Sequence, residues 1–428
     1  MHPSPKSAVA GRHWVLIGLL VAVAVINYVD RGSLSVAAPA ISAELHLDPV
    51  RMGVVLSAFF WSYAVLQLVA GWLADRFSVL WVLGVGLVIW SAATLATGLT
   101  GGLAALLVCR VVLGAGESVA FPCYSKVIAA DFPSERRGVP NSLIEAATKL
   151  GPAVGTLLGG VLLAHYGWRI LFLVLGAGSL AWLGPWLAWA PRTTGSQAPE
   201  RRESPGMLEI AARRDAWGTF LGNACYTYSY YFLLTWLPSY LVDARRLSFQ
   251  AMGVLGAIPY LAAAAAAMAC GWLSDRWIRR GGTPTRVRKT FVITGFLLST
   301  VMVGAPLVSE LRASMALLCV GYIAFGILAS NHWAITQTLA GAGAAGRWTG
   351  MQNTIGNLSG IVAPIVTGFI VKQTGSYAWA FASPAILAVA GACCYLFLVG
   401  EVAPVKWRRF NGSSQSASNR RPRGPGAR

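Results

Sequence analysis

Charge is scarce in this chain. Only 12% of its 428 residues are Asp, Glu, Lys or Arg, about half of what a soluble domain carries. With apolar runs recurring from end to end, that excludes a soluble enzyme, a disordered chain and a coiled coil. Acids are scarcer than bases, 16 against 34, so the net charge is +18. No Walker loop, nucleophile elbow or zinc spacing occurs, so neither an ATP-driven pump nor an enzyme is expected, and no metal or other cofactor. The seven cysteines (109, 123, 225, 270, 319, 393 and 394) all stand in apolar segments without metal-ligand spacing. That excludes a disulfide framework and leaves small core residues. Of the two glycosylation-type sequons, Asn357-x-Ser359 falls inside an apolar run and Asn411-x-Ser413 in the basic tail.

Apolar runs of about 20 residues, each able to cross roughly 30 Å of hydrocarbon as a helix, are what the chain has instead. Solid apolar blocks also disfavour an outer-membrane barrel, whose strands alternate. Twelve spans are expected, near 14–43, 52–74, 79–99, 103–129, 141–164, 168–190, 216–242, 252–273, 290–308, 312–339, 350–373 and 377–400. The first contains Asp30 and Arg31, which a cleaved signal peptide would not tolerate, so it reads as a retained span. The expected fold is an all-α polytopic membrane protein: a six-helix half over 1–190, a middle loop over 191–215, a second half over 216–404, and a disordered basic tail over 405–428. With the N-terminus placed in the cytoplasm, basic residues outside the spans favour that side by about four to one. This asymmetry explains the positive charge without nucleic acid, and puts both termini in the cytoplasm.

The halves repeat. Gly71-Trp72-Leu73-Ala74-Asp75-Arg76 follows span 2, and Gly271-Trp272-Leu273-Ser274-Asp275-Arg276 follows span 8, five of six residues matching at a separation of 200. Weaker echoes are Arg136…Gly138…Asn141 against Arg347…Gly350…Asn353, and Tyr166-Gly167-Trp168 against Tyr377-Ala378-Trp379. Two six-helix repeats imply a pseudo-two-fold axis along the membrane normal, with a cavity between them.

Charges inside the hydrocarbon cost about 2.5–3.5 kcal/mol each at mid-helix and need a partner or a task. Asp30, Arg31, Arg110, Glu117 and Lys149 qualify, with Glu145 and Lys126 nearer the span ends. Arg110, Gly114 and Glu117 share one helix face, the two charges roughly 10 Å apart along the axis, too far for a direct bond. Gly114 is expected to leave the space between them open for a small anion. Asp30 and Arg31 diverge by about 100°; one division sends Asp30 to span 4 and Arg31 to the cavity. Lys149, beside Gly151-Pro152, either binds a second carboxylate or balances Glu145. His332, in Ser330-Asn331-His332-Trp333, reads first as a buried neutral histidine. Asn331, Asn353 and Asn357 either bind substrate hydroxyls or tie spans 10 and 11 together. Span 7 is rich in rings: Tyr226, Tyr228, Tyr230, Tyr231, Phe232 and Trp236.

The paired Gly-x-x-x-Asp-Arg loops, Arg110-x-x-x-Gly114-x-Gly116 and Gly151-Pro152-x-x-Gly155 resemble the major facilitator superfamily over about residues 10–400. A narrower likeness, to its anion:cation symporter branch, rests on several motifs. They are Asn27-Tyr28-x-Asp30-Arg31, Glu117, Phe121-Pro122, Asp131-Phe132-Pro133-x-Glu135-Arg136, Trp236-Leu237-Pro238-x-Tyr240-Leu241 and Gly356-Asn357-Leu358-x-Gly360-Ile361-x-Ala363-Pro364. That branch holds bacterial galactonate, glucarate and hexuronate carriers, and the animal sialin and vesicular glutamate carriers. The chain departs from it at Phe77-Ser78-Val79, where basic residues usually follow the loop motif, and at Thr148-Lys149, where galactonate-like carriers have a Gln nearby.

The resemblance implies proton-coupled import of a small organic anion, a sugar acid or similar carboxylate, by alternating access. Aromatic-acid uptake and export of a drug or other organic compound are the alternatives. A receptor or membrane enzyme on such a bundle would need an added domain that the short loops do not supply. Asp30 and Glu117 are the candidate proton sites. Arg31, Tyr63, Arg110, Lys149, Asn331, Trp333, Asn353 and Asn357 are the candidate substrate residues, and Gly71, Asp75, Arg76, Gly271, Asp275 and Arg276 the candidate gating motif. The expected partners are the anion, protons and the bilayer; the expected state is a monomer in a bacterial inner membrane. Arg outnumbers Lys 28 to 6, as in proteins of GC-rich genomes.

Overall fold

A computed structural model of the chain describes residues 5–131, 138–189 and 205–407, and the described residues contain helices and no strand. Most of the expected middle loop, the expected tail beyond 407 and the loop from Phe132 to Arg137 lie outside the described residues. The helices are α1 (Pro5–Glu44), α2 (Pro49–Arg76), α3 (Val79–Gly98), α4 (Leu103–Glu117), α5 (Ala120–Asp131), α6 (Gly138–Ala181), α7 (Leu183–Trp189), α8 (Met207–Ala211), α9 (Arg214–Ser239), α10 (Phe249–Arg279), α11 (Pro284–Ser299), α12 (Leu311–Thr374) and α13 (Tyr377–Cys393).

Ten stretches of the described residues are long and apolar enough to cross a membrane. One of them, Pro140–Trp189, passes through Gly167, whose φ of 76° breaks the helix and divides spans 5 and 6. A positive φ of that kind costs glycine little and other residues much. The helix α9, span 7, is long enough, but its tyrosines and its Asn, Thr and Ser hold its hydropathy down. It is buried along most of its length, so protein rather than lipid surrounds it. The total is twelve. Gly341, with φ of 62°, separates spans 10 and 11 inside α12. The sequence suggested a connection over 340–349. The polar residues around Arg347 are helical instead, with the Arg347 side chain donating to the Pro205 carbonyl at 2.7 Å.

Span 4 is not continuous either. Its helix stops at Glu117 and resumes at Ala120. Pro122 has no N–H to offer the Ser118 carbonyl one turn back, and the Ser118 hydroxyl bonds the Ala115 carbonyl at 2.8 Å. The ladder therefore opens directly after Glu117.

The first and last six spans meet along three seams: span 1 against 7, span 2 against 11, and span 5 against 8. Glycines allow the contact. A Cβ on Gly53 or Gly368 would run into the backbone of Pro364 or Pro49, and one on Gly160 would meet the Gly253 Cα at 2.6 Å. These approaches cluster at the end of the bundle that carries the 1–2 connection. There Lys372 of span 11 also reaches Asp48, 3.3 Å away. The repeat is visible in side chains at the same end. Glu44, closing span 1, accepts from Trp168 at 2.6 Å and pairs with Arg169 at the start of span 6. Asp243, just past span 7, accepts from Tyr377 at the start of span 12, 3.2 Å away.

Candidate functional site

Span 1 delivers Asn27, Tyr28, Asp30 and Arg31 to the middle of the bundle, and a helix turns neighbouring side chains about 100° apart. Arg31 takes the direction of span 4. Its Nη2 and Nε donate to Glu117 Oε2 at 3.0 and 3.3 Å, and Nη2 also lies 3.4 Å from Asn27 Oδ1. Both side chains are closed to solvent, at 3% and 0% exposure. Three rings surround the guanidinium: Tyr28 at 4.7 Å, Phe59 at 4.6 Å and Tyr63 at 4.6 Å from its Cζ. Each is close enough for a cation–π contact. Asp30 points the other way and accepts from the Ser179 hydroxyl of span 6 at 3.0 Å. The division suggested from sequence, with Asp30 meeting span 4, is thus reversed. Arg31 has the reach to cross to Glu117, while the short Asp30 meets its neighbour in span 6 through one of its two oxygens.

Arg110 is buried and forms no ion pair among the described residues; its guanidinium lies 5.3 Å from the Phe59 ring centre. Phe59 therefore stands between two arginines. The space beside Gly114 is not open, as the sequence reading had it. A Cβ there would collide with the Phe59 carbonyl and the Ser62 hydroxyl, and that hydroxyl bonds the Val111 carbonyl at 2.6 Å. The glycine admits span 2 rather than an anion. Around these charges several buried polar atoms lack a partner: Arg110 Nε, Glu117 Oε1, Asp30 Oδ1, Asn27 Nδ2 and Tyr124 Oη. Unpaired buried groups are expensive, about 1–3 kcal/mol each, and rare without a reason. Five of them stand together around these charges.

Across the seam, Tyr231 of span 7 donates to Asn357 Oδ1 at 3.0 Å, and Asn357 Nδ2 lies 3.4 Å from Gln67 Oε1 of span 2. Phe60 packs its ring 4.5 Å from Tyr231. Asn357 therefore ties spans 2, 7 and 11 together. Lys149 of span 5 pairs with Glu145 at 3.4 Å and sits 5.1 Å over the Tyr230 ring. His332 is buried between Tyr226, 5.1 Å away, and Trp333, 4.8 Å away.

Other predicted residues sit elsewhere. Asn353 is exposed. Asn331 lines a separate 250 Å³ cavity with Gly271, Asp275 and Arg288, at the gating end of span 8. Arg76 and Arg276 are exposed, Gly71 is half-buried, and the Asp75 side chain lies outside the described residues. Lys126 of span 4 donates to the Ala74 carbonyl, inside the first copy of the gating motif. The sequence reading passed over Gln352, buried and accepting from Thr336 at 2.8 Å, and Tyr124 beside Glu117. A polar side chain within an apolar run was the available signal for both.

Residues 20–364 match the family model described as Major Facilitator Superfamily. A probable sulfoacetate transporter of Cupriavidus necator is 33% identical over 416 residues, 92% of this chain and 95% of that protein. A probable galactarate/D-glucarate transporter of Escherichia coli is 30% identical, covering 94% of this chain and 96% of its own length. The hexuronate transporter of Bacillus subtilis is 31% identical over 85% of this chain and 89% of its own. Among solved structures, a bacterial homologue of the human lysosomal transporter Spinster, inward-facing and unoccupied, superposes with a TM-score of 0.79. It is 18% identical and covers 93% of this chain and 98% of that one, so it bears on the fold alone. The motif pairs, the twelve spans and these matches together place the chain in the Major Facilitator Superfamily, as a carrier and not an enzyme.

Proposed function

We propose that the protein is a proton-coupled symporter importing a small organic anion of the sugar-acid type across a bacterial inner membrane, with both termini in the cytoplasm and one chain as the working unit. The observation that carries this is the buried Arg31–Glu117 pair beside Arg110, which makes no ion pair among the described residues, and Asp30, which has one unbonded oxygen. The 1–2 end of the bundle then faces outward, and the halves 1–190 and 216–404 rock about the central site. The names of the relatives, carriers of galactarate, glucarate and hexuronate, support an acidic, hydroxylated substrate.

Glu117 and Asp30 take protons while the site faces out. Protonated Glu117 releases Arg31, which with Arg110 binds the carboxylate; the planar fork of arginine suits that group. Occluding a neutralised site avoids the cost of burying unpaired charge. Opening inward releases the anion, and Arg31 recaptures Glu117 as its proton leaves. Tyr63 holds Arg31 in place through its ring, 4.6 Å from the guanidinium. Asn357 and Trp333 line the path of the hydroxylated portion.

In proteoliposomes, Glu117→Gln and Asp30→Asn should each abolish accumulation driven by a pH gradient, and at least one should retain substrate counterflow. Accumulation by both variants under a pH gradient alone would place the proton sites elsewhere. The cluster of rings in span 7 favours an aromatic acid as the second reading. Direct competition between galactonate and a benzoate-type acid decides between the two.

A further inference from the structure

We infer that Lys149, with the Tyr230 hydroxyl and His332, forms a second acid-binding pole, and that the preferred substrate is a small dianion with an acidic group at each end. The inference rests on the reading of the protein as an organic-anion carrier and adds the substrate's charge.

The site has two cationic poles with different neighbours. Arg31 and Arg110 lie on the Glu117 side. Lys149 lies over Tyr230 and within electrostatic reach of the hydroxyl of Tyr28, whose ring is 4.7 Å from the Arg31 guanidinium. The second pole spans the seam between the halves, with Lys149 from span 5 and Tyr230 and His332 from spans 7 and 10.

Lys149 is poorly committed. Its one acidic partner, Glu145, is 56% exposed, whereas Lys149 itself is 19% exposed. An i,i+4 pair with one member in water holds weakly, so the lysine can exchange Glu145 for a ligand. The Tyr230 ring beneath it leaves the ammonium's donors free, because a ring face binds charge without accepting a directed hydrogen bond along each N–H. Close by, Tyr230 Oη is buried and unbonded, and His332 lies within electrostatic reach of Lys149. A neutral histidine and a phenol each offer one donor, and an acid group bound to Lys149 has lone pairs to accept them. The first pole shows the same signature in the unbonded Nε of Arg110. A monoanion would satisfy one pole and leave the other with buried donors unpaired. A dianion satisfies both.

The test is a matched pair of ligands, glucarate and gluconate, which differ in the second carboxylate. Binding is measured by calorimetry on the purified full-length protein in detergent. Wild type should bind the diacid about tenfold or more tightly than the monoacid, as expected for one added charge-assisted contact in a desolvated site. Lys149→Gln should bring the ratio close to one, and Lys149→Arg should restore most of it. Glu145→Gln, which removes the competing carboxylate, should raise diacid affinity, and this arm remains readable if Lys149→Gln fails to fold. A wild-type ratio near one, or a ratio unchanged in Lys149→Gln, overturns the inference while leaving the carrier assignment standing. Binding of neither acid, nor of any anion in a carboxylate screen, overturns both.

Discussion

The two buried arginines of the central site are in opposite situations. Arg31 is fully engaged, by Glu117 at 3.0 Å and by three rings. Arg110 has no ion-pair partner among the described residues. Removing one member of a buried pair strands the other and costs about 3–5 kcal/mol. Arg31→Ala should therefore lower the melting temperature strongly, and adding Glu117→Gln should recover much of the loss. Arg110→Ala removes a charge that makes no ion pair but lies in the attractive reach of Glu117 and Asp30, so it should abolish anion binding while lowering the melting temperature less than Arg31→Ala does. Thermal unfolding and ligand binding on these three variants check both statements. Equal loss of stability in Arg31→Ala and Arg110→Ala would mean that Arg110 has a structural partner after all. Arg110→Lys keeps the charge without the planar fork and should bind carboxylates more weakly than wild type.

At the scale of an element, the break in span 4 sits directly after Glu117, the proton site of the proposed cycle. The helix is interrupted at Ser118 and Val119. The Ser118 N–H still bonds the Gly114 carbonyl at 3.1 Å, and the bond missing is the one Pro122 cannot donate to the Ser118 carbonyl. A helix with an opened turn can swing its end without unfolding, and the cause here is the missing N–H of Pro122. Pro122→Ala restores the donor and should straighten span 4. The expected outcome is a more stable protein that exchanges substrate several-fold more slowly, with counterflow rate and melting temperature as the readouts. Faster exchange in Pro122→Ala would remove the hinge from the mechanism. At the far end of the same span, Lys126 donates to the Ala74 carbonyl and so anchors span 4 to the gating motif.

For the whole molecule, closure of the 1–2 end depends more on packing than on charge. Backbones touch across Gly53, Gly160 and Gly368, whereas the Asp48–Lys372 bridge at 3.3 Å is half in water. A pair of that kind contributes about 0–1 kcal/mol, so Lys372→Gln should change the rate of opening by less than about fivefold. The pH dependence of the bridge follows from Asp48. The Arg51 backbone N–H, followed by Lys372, holds its carboxyl below the ordinary carboxylate value. A depressed carboxylate contributes fully above its unfolded value, and the contribution is lost only as pH falls through the lower folded value. Between pH 5 and 8 the bridge should therefore be constant, and pH-dependent opening should arise at Glu117 and Asp30. The 610 Å³ cavity beside the bridge is lined by Ser42 and Met52. Labelling of Ser42→Cys by an impermeant maleimide, in wild type and in Asp48→Asn backgrounds, follows the opening. A pH response between 5 and 8 that disappears in Asp48→Asn would assign the switch to the bridge instead.

Much of this protein is written in its sequence. Solid apolar runs cannot lie in water, so the spans, the repeat carried by Asp75-Arg76 and Asp275-Arg276, and the cost of Asp30, Arg31, Arg110, Glu117 and Lys149 in hydrocarbon were all legible without coordinates. Rotation and partnership were not. Adjacent residues on a helix diverge by about 100°, and which of Asp30 and Arg31 met span 4 depended on the position of Ser179, 149 residues away from Asp30. Gly114 looked like empty space, but an absent side chain is equally an invitation to a neighbouring backbone, and span 2 took it. Asn331 and Asn357 both looked like amides in apolar helices, yet one lines the cavity beside Asp275 and the other joins three spans at the centre. Composition determines which groups must avoid lipid, because that cost belongs to the residue. The packing of twelve helices determines which neighbour each group meets, because that energy belongs to the pair.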